Sequence, residues 1–161
     1  MRVSQFLSDQ RISFEEMVHP PAYTSKKLAR FLHISGRQVV KSILLKGPAG
    51  FFVAVLPAMQ EIDLAKLSEQ LGAVRLATLE ELHDRFSDCE WGAVMPFGRL
   101  YGMATILESS IPLDATIVFE AQRHAVAIKM QCRDYVKLEN PRRMHFAKLD
   151  AVPEKPHPRA G

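Results

Sequence analysis

Val39-Val40-Lys41-Ser42-Ile43-Leu44-Leu45-Lys46-Gly47-Pro48-Ala49-Gly50-Phe51-Phe52-Val53-Ala54-Val55-Leu56 is the stretch that decides the fold. Residues 39–45 and 51–56 are rich in β-branched and apolar side chains, which suit a pleated, buried surface. Gly47-Pro48-Ala49-Gly50 between them reads as a hairpin turn, since proline presets φ and glycine tolerates backbone that other residues avoid. Two antiparallel strands are therefore expected at the centre of the chain. Toward the N-terminus, residues 2–9 read as a helix with Val3, Phe6 and Leu7 on one side, and residues 14–18 as a strand. His19-Pro20-Pro21 then breaks regular structure, and Thr24 or Ser25 can cap a helix ending at Leu32. Toward the C-terminus, Asp63 can cap a helix carrying Leu64, Leu67 and Leu71. Residues 74–76 read as a short strand, and Thr78 with Glu81 forms a capping box for a helix to about Arg85. Residues 87–100 are loop-rich. Strands are expected over 101–107, 116–119 and 125–130, and a last helix over 132–138. Helices and strands mix without strict βαβ alternation. The expected class is α+β: a compact single domain with a mixed, mainly antiparallel sheet flanked by short helices.

The bulk properties exclude several classes. With 161 residues and a formal net charge of +3, the chain can bury its own core and is only mildly basic. The positive charge is spread out, with its densest patch at Arg142, Arg143, His145 and Lys148, a flank that reads as solubilising. Cys89 and Cys132 form no CxxC pair and sit near no paired histidines, so no zinc site and no metal is expected. Lone thiols suit a reducing cytoplasm. No apolar stretch approaches a membrane span, and the N-terminus lacks the apolar core of a signal peptide. Residues 1–150 are expected to form the domain and residues 151–161 a disordered tail.

Common catalytic signatures are missing. Gly36-Arg37-Gln38-Val39-Val40-Lys41-Ser42 echoes a phosphate-binding loop, but Val40 stands where that loop needs glycine, and adjacent valines prefer extended strand. There is no G-x-S-x-G elbow, no H-E-x-x-H helix and no dinucleotide fingerprint around Gly98 and Gly102. No cofactor is implied.

Three motifs in order carry a resemblance: His19-Pro20-Pro21-Ala22-Tyr23-Thr24-Ser25 before a helix, Gln38-Val39-Val40-Lys41-Ser42-Ile43-Leu44-Leu45 as a lysine-bearing strand, and Gly92-Ala93-Val94-Met95-Pro96-Phe97-Gly98 as a G-x-x-x-P-F-G loop. The set resembles the YbaK and prolyl-tRNA-synthetase-associated editing domain family, over roughly residues 10–140. Val118-Phe119-Glu120-Ala121-Gln122-Arg123-His124 is similar to that family's penultimate strand and turn. Gln122 departs from the pattern, standing where many members carry glycine. The resemblance implies hydrolysis of the ester between a mistaken amino acid and the tRNA 3′ end. It maps the key strand lysine onto Lys41 and the loop glycine and proline onto Gly92 and Pro96. The partners it implies are aminoacyl-tRNA and an aminoacyl-tRNA synthetase, with no role for DNA or a membrane.

Physically, a lysine on a strand is usually a solvent-facing charge, but in this setting Lys41 could grip a terminal phosphate or ribose. Gly92 and Pro96 read equally as parts of a turn or as a loop whose N–H groups approach a substrate carbonyl. The substrate-side candidates are Thr24, His19, Ala93, Met95, Phe97 and Gly98. Thr24 reads first as a helix cap, His19 as a loop histidine, Phe97 as core and Gly98 as relief for a bend. His124 and Asp134 read as structural. No nucleophile or general base stands out; the resemblance implies instead that the neighbouring ribose hydroxyl would assist hydrolysis. Two other readings compete: a non-catalytic tRNA- or synthetase-binding module of the same fold, and a hydrolase of another small ester or amide.

Overall fold

The computed structural model describes residues 2–22 and 24–148; the tail expected beyond residue 150 lies outside them. The elements are α1 (Arg2–Asp9), β1 (Phe14–Val18), α2 (Ser25–Leu32), a 3-10 turn (Gly36–Gln38), β2 (Val40–Gly47), β3 (Gly50–Pro57), α3 (Leu64–Leu71), β4 (Arg75–Leu76), α4 (Leu79–Arg85), a second 3-10 turn (Gly98–Tyr101), β5 (Ala104–Glu108), β6 (Thr116–Glu120), β7 (Val126–Gln131), α5 (Cys132–Glu139) and β8 (Arg142–Met144). The class is α+β, as the patterning implies. The strands divide between two sheets, a five-stranded one ordered β4-β2-β3-β5-β8 and an antiparallel three-stranded one ordered β1-β7-β6. A parallel bridge between Val39 and Val118 joins them where β2 begins.

Local chemistry accounts for the elements. The hairpin pairs Val40 with Pro57 through to Gly47 with Gly50. Helix α2 is capped by Thr24, whose hydroxyl accepts from the Lys27 amide at 3.1 Å, and α3 by Asp63, which accepts from the Lys66 amide at 3.0 Å. The Thr78–Glu81 box closes in both directions, at 2.9 and 3.2 Å.

Strand β3 is apolar on both faces because both are covered. Val53 and Val55 enter one core with Phe97, Phe119 and Tyr135, while Ala54 and Leu56 enter another with Leu67 and Phe146. A third apolar cluster, with Leu28, Val39, Val118 and Ala127, fills the space beneath α2.

Two features depart from the sequence reading. Strand β5 runs parallel to β3 and pairs in parallel with β8, a strand that no local pattern announces. The basic flank read as solubilising is also structural. His145 bonds through Nδ1 to Glu108 at 2.8 Å, and the Arg143 guanidinium donates to the carbonyls of Ser109 and Ile111. Glu108 is fully buried and accepts from the amides of Phe146, Ala147 and Ser110. Burial raises its pKa, but those amides outweigh burial and hold it below 4.5.

Candidate active site

A cleft of about 280 Å³ opens where the two sheets meet. Five parts of the chain build it. The α2 end contributes Ala22, Thr24 and Leu28; β2 and the residue before it contribute Val39, Val40, Lys41 and Ser42. Ala58 follows β3. Gly92, Ala93 and Val94 come from the long loop, and Phe119, Glu120 and His124 from the β6 end. Thus Lys41, Thr24, Gly92 and Ala93 come together from positions far apart in the chain.

Lys41 lies near the start of β2, opposite Leu56. It is half-buried, and burial pulls its pKa down from 10.5, with Glu61 only partly compensating. None of the salt bridges among the described residues uses it. A partly desolvated cation without a partner, held in a concave site, is a place where an anion would be favoured.

The loop opposite is held by the β6–β7 turn. The His124 ring bonds through Nε2 to the Trp91 carbonyl at 2.9 Å and through Nδ1 to Glu120 at 3.1 Å. Its amide donates to Glu90 at 3.0 Å. Both ring nitrogens face acceptors, so the imidazolium is the form that satisfies them. The Trp91 carbonyl and then Glu120 raise the His124 pKa above 6.5 against the opposing effect of burial.

Gln122, where the family pattern often has glycine, is buried and does a specific job. Its amide nitrogen donates to the Asp88 carbonyl and carboxylate, and its oxygen accepts from the Val3 amide. It ties α1, the loop start and the turn together.

Gly92 has φ of +85°, and a Cβ built there would meet nothing within 4 Å. Its requirement is therefore conformational rather than spatial: the left-handed backbone favours glycine. The Ala93 amide is spent on the Glu90 carbonyl at 2.9 Å. The amides of Gly92 and Val94 donate to no carbonyl among the described residues, and they flank the cleft.

The remaining candidates do not line this cleft. Met95 and Phe97 are fully buried in the main core. Phe97 packs edge-on against Phe6, Phe119 and Tyr135, with ring centroids 5.8, 5.9 and 5.2 Å away. It reaches the cleft only through Phe119. The Pro96 carbonyl accepts from the buried Tyr135 hydroxyl at 2.5 Å. Gly98 is a packing glycine, since a Cβ there would stand 2.6 Å from the Thr105 hydroxyl and 2.9 Å from two carbonyls. His19 is 5% exposed, and its amide donates to the Ala125 carbonyl at 2.9 Å. Its Nδ1 bonds to the Pro20 carbonyl, and its Nε2 is buried without a partner among the described residues.

Ser42, Glu120 and the loop-bearing role of His124 were missed by sequence reasoning. The one local hint was the four-residue spacing of Glu120 and His124 around a turn.

Residues 19–138 match the model of the aminoacyl-tRNA editing domain. The chain belongs to that family. A proline–tRNA ligase of Desulfitobacterium hafniense is 28% identical over 139 residues, covering 84% of this chain and 20% of the ligase. The ligase of Thermosipho africanus is 33% identical over 76 residues, 46% of this chain and 14% of its own length. The chain thus spans a fifth or less of these relatives. Among solved structures, a hypothetical protein superposes with a TM-score of 0.82 at 18% identity, covering 92% of this chain and all of its own. A candidate trans-editing enzyme for prolyl tRNA synthetase gives 0.76 at 17% identity, with 92% and 96% covered. At such identities the likeness is one of fold. No helix among the described residues is long and apolar enough to cross a membrane.

Proposed function

We propose that this editing domain is a hydrolase that removes wrongly attached amino acids from tRNA in the cytoplasm, with a synthetase as its working partner. The observation that carries the proposal is the half-buried Lys41 ammonium, without an ion-pair partner among the described residues, facing a glycine loop whose Gly92 and Val94 amides donate to no carbonyl among them. In this reading Lys41 anchors a phosphate or ribose oxygen of the tRNA end by a charge-assisted contact. The Gly92 and Val94 amides steady the negative charge that grows on the ester carbonyl as water attacks; a well-placed donor of this kind contributes roughly 3–4 kcal/mol. His124 is not free to act as base while its two nitrogens hold Glu120 and the Trp91 carbonyl. Activation of water then falls to the vicinal ribose hydroxyl, with the protein supplying position and electrostatics. Such a second site answers a real difficulty, because a methylene or a hydroxyl gives a synthetase pocket only about 1–3 kcal/mol of discrimination.

The test is single-turnover deacylation of tRNAs charged with alanine, cysteine, serine, threonine and proline. Lys41→Ala should abolish most hydrolysis of whichever substrate is active, at unchanged circular dichroism. Losing the contact costs about 1.5–3 kcal/mol directly, and misplacing the ester adds to that. Lys41→Arg should rescue little, because the guanidinium has different reach and geometry. The wild-type rate should also fall as pH rises through the Lys41 pKa, which lies below 10.5. Wild-type turnover in a folded Lys41→Ala protein would favour the non-catalytic binding module instead.

A further inference from the structure

Glu120 ends β6, and the strand sets its direction. Ile117 and Phe119 enter the main core, while Val118 belongs to the apolar cluster beneath α2. By the two-residue period of a strand, Glu120 shares the face of Val118. It is the one carboxylate in the lining of the first cleft, where Thr24, Lys41, Ser42 and His124 are the other polar side chains. The adjoining cleft, of about 470 Å³ and sharing the wall residue Val40, has none in its lining. A site that takes only phosphate or oxyanion charge is weakened by a carboxylate, so Glu120 needs a reason of its own to be there.

His124 supplies half of that reason, since its Nδ1 bonds to Glu120 Oε2 at 3.1 Å. The other oxygen, Oε1, accepts no hydrogen bond among the described residues and is open to solvent. The side chain is 28% exposed, so a ligand can reach it. Nor is the carboxylate spent on Lys41. No salt bridge among the described residues joins the two, and the carboxylate that raises the Lys41 pKa is Glu61, outside the cleft lining. Two opposite charges thus share one cleft without meeting, which favours a ligand that brings a negative and a positive group together. The imidazole also fixes where the carboxylate stands. Its Nε2 bonds to the carbonyl of Trp91, directly before Gly92, at 2.9 Å. The acceptor and the glycine loop are therefore tied to each other through a single ring.

We infer that Glu120 Oε1 receives the α-ammonium of the substrate, which makes the site selective for tRNA esters with a free α-amino group. The inference rests on the editing role proposed above. In an aminoacyl ester the ammonium sits on the carbon next to the carbonyl, so the two arrive together. The loop amides take the carbonyl, Glu120 takes the ammonium by a charge-assisted hydrogen bond, and Lys41 holds the nucleotide. N-formylated and peptidyl esters carry a neutral amide at that nitrogen. They leave the carboxylate without its cation and are rejected.

The experiment uses the full chain and fluorescently labelled acceptor microhelices ending in CCA, with binding read by polarisation. Each carries an alanyl, seryl or threonyl group through a 3′-amide, which does not hydrolyse as the ester does. Each is paired with its hydroxy-acid isostere, in which a neutral hydroxyl replaces the amine at nearly the same size. At pH 6.5 an α-amino group, ordinarily at about 7.7–8.0, is protonated. The wild-type protein should bind the amine form of its preferred substrate about ten-fold more tightly than the hydroxy form. Glu120→Gln, which can still accept from His124, should erase that preference by weakening the amine form alone. Equal binding of every amine and hydroxy pair by the wild-type protein would overturn the inference, and that comparison needs no variant to fold. A preference retained in folded Glu120→Gln would overturn it too. So would an equal loss of both forms, which would reduce Glu120 to a support for His124. Since the assay reads no hydrolysis, a Glu120-dependent preference stands even if no ester is ever deacylated, in which case only the editing role falls. Deacylation without any preference removes Glu120 from recognition and leaves the editing role intact.

Discussion

The two halves of Gly92–Gly98 are contiguous in sequence and opposite in environment. Gly92, Ala93 and Val94 face the cleft, whereas Met95 and Phe97 are fully buried and the Pro96 carbonyl is tied to Tyr135. The segment leading into the first half is held at Asp88 by Gln122 and at Trp91 by His124, both on the β6–β7 turn; the second half is cemented into the core by aromatic packing. One motif therefore does two things. The buried half anchors, and the cleft half can present backbone amides at a defined place without being packed itself. Residues of one motif need not share one role.

The comparison breaks most visibly at Phe97. Phe97→Ala should cost about 3–5 kcal/mol of stability by removing a fully buried ring from three aromatic partners. Urea denaturation measures it. A loss well under 1 kcal/mol would mean that the second half is not an anchor.

A smaller effect is expected at Gly92. Gly92→Ala forces a side-chain-bearing residue to φ of +85° in open space, at about 1 kcal/mol. Deacylation should fall further than that strain accounts for, since relaxing φ turns the neighbouring amides. Comparing the rate with the denaturation midpoint separates the two. Activity that merely follows stability would reduce the cleft half to an ordinary turn.

The smallest effect concerns His124, and its sign follows from its raised pKa. The stabilisation from the imidazolium is fully present below 6.5 and is lost as pH rises through the higher folded pKa. His124→Gln should therefore lose more stability at pH 6 than at pH 9. The difference should stay under about 1 kcal/mol because the ion pair is partly exposed. Thermal midpoints at the two pH values give the answer, and a pH-independent loss would mean the ring packs without titrating.

Much of the fold was legible because its signals are local. Thr24, Asp63 and Thr78 each cap the helix that follows them, and Gly47-Pro48-Ala49-Gly50 turns the central hairpin, through contacts within a few residues. Lys41 and Gly92 could be singled out by the ordered motifs, but not the reason glycine is needed. At Gly92 the backbone itself makes a demand, with φ of +85°, while no protein atom stands within 4 Å of a Cβ built there. Gln122 reads as a departure from a pattern until its contacts to Asp88 and Val3 are seen. The short strand β8 carries no alternation of its own and forms because β5 offers it an edge.

By itself the sequence determined the α+β class, the central hairpin, the helix caps and the family, since each depends on residues close in the chain or on motifs in order. Only the tertiary structure decided that Lys41 is half-buried without an ion-pair partner among the described residues, that Gly92–Val94 and not Met95–Gly98 meets it, and that a second cleft adjoins the first. Burial and pairing are properties of groups brought together from distant positions. Lys41 and Gly92 stand on opposite sides of α3, β4 and α4 in the chain and face one cleft only after the sheets have packed.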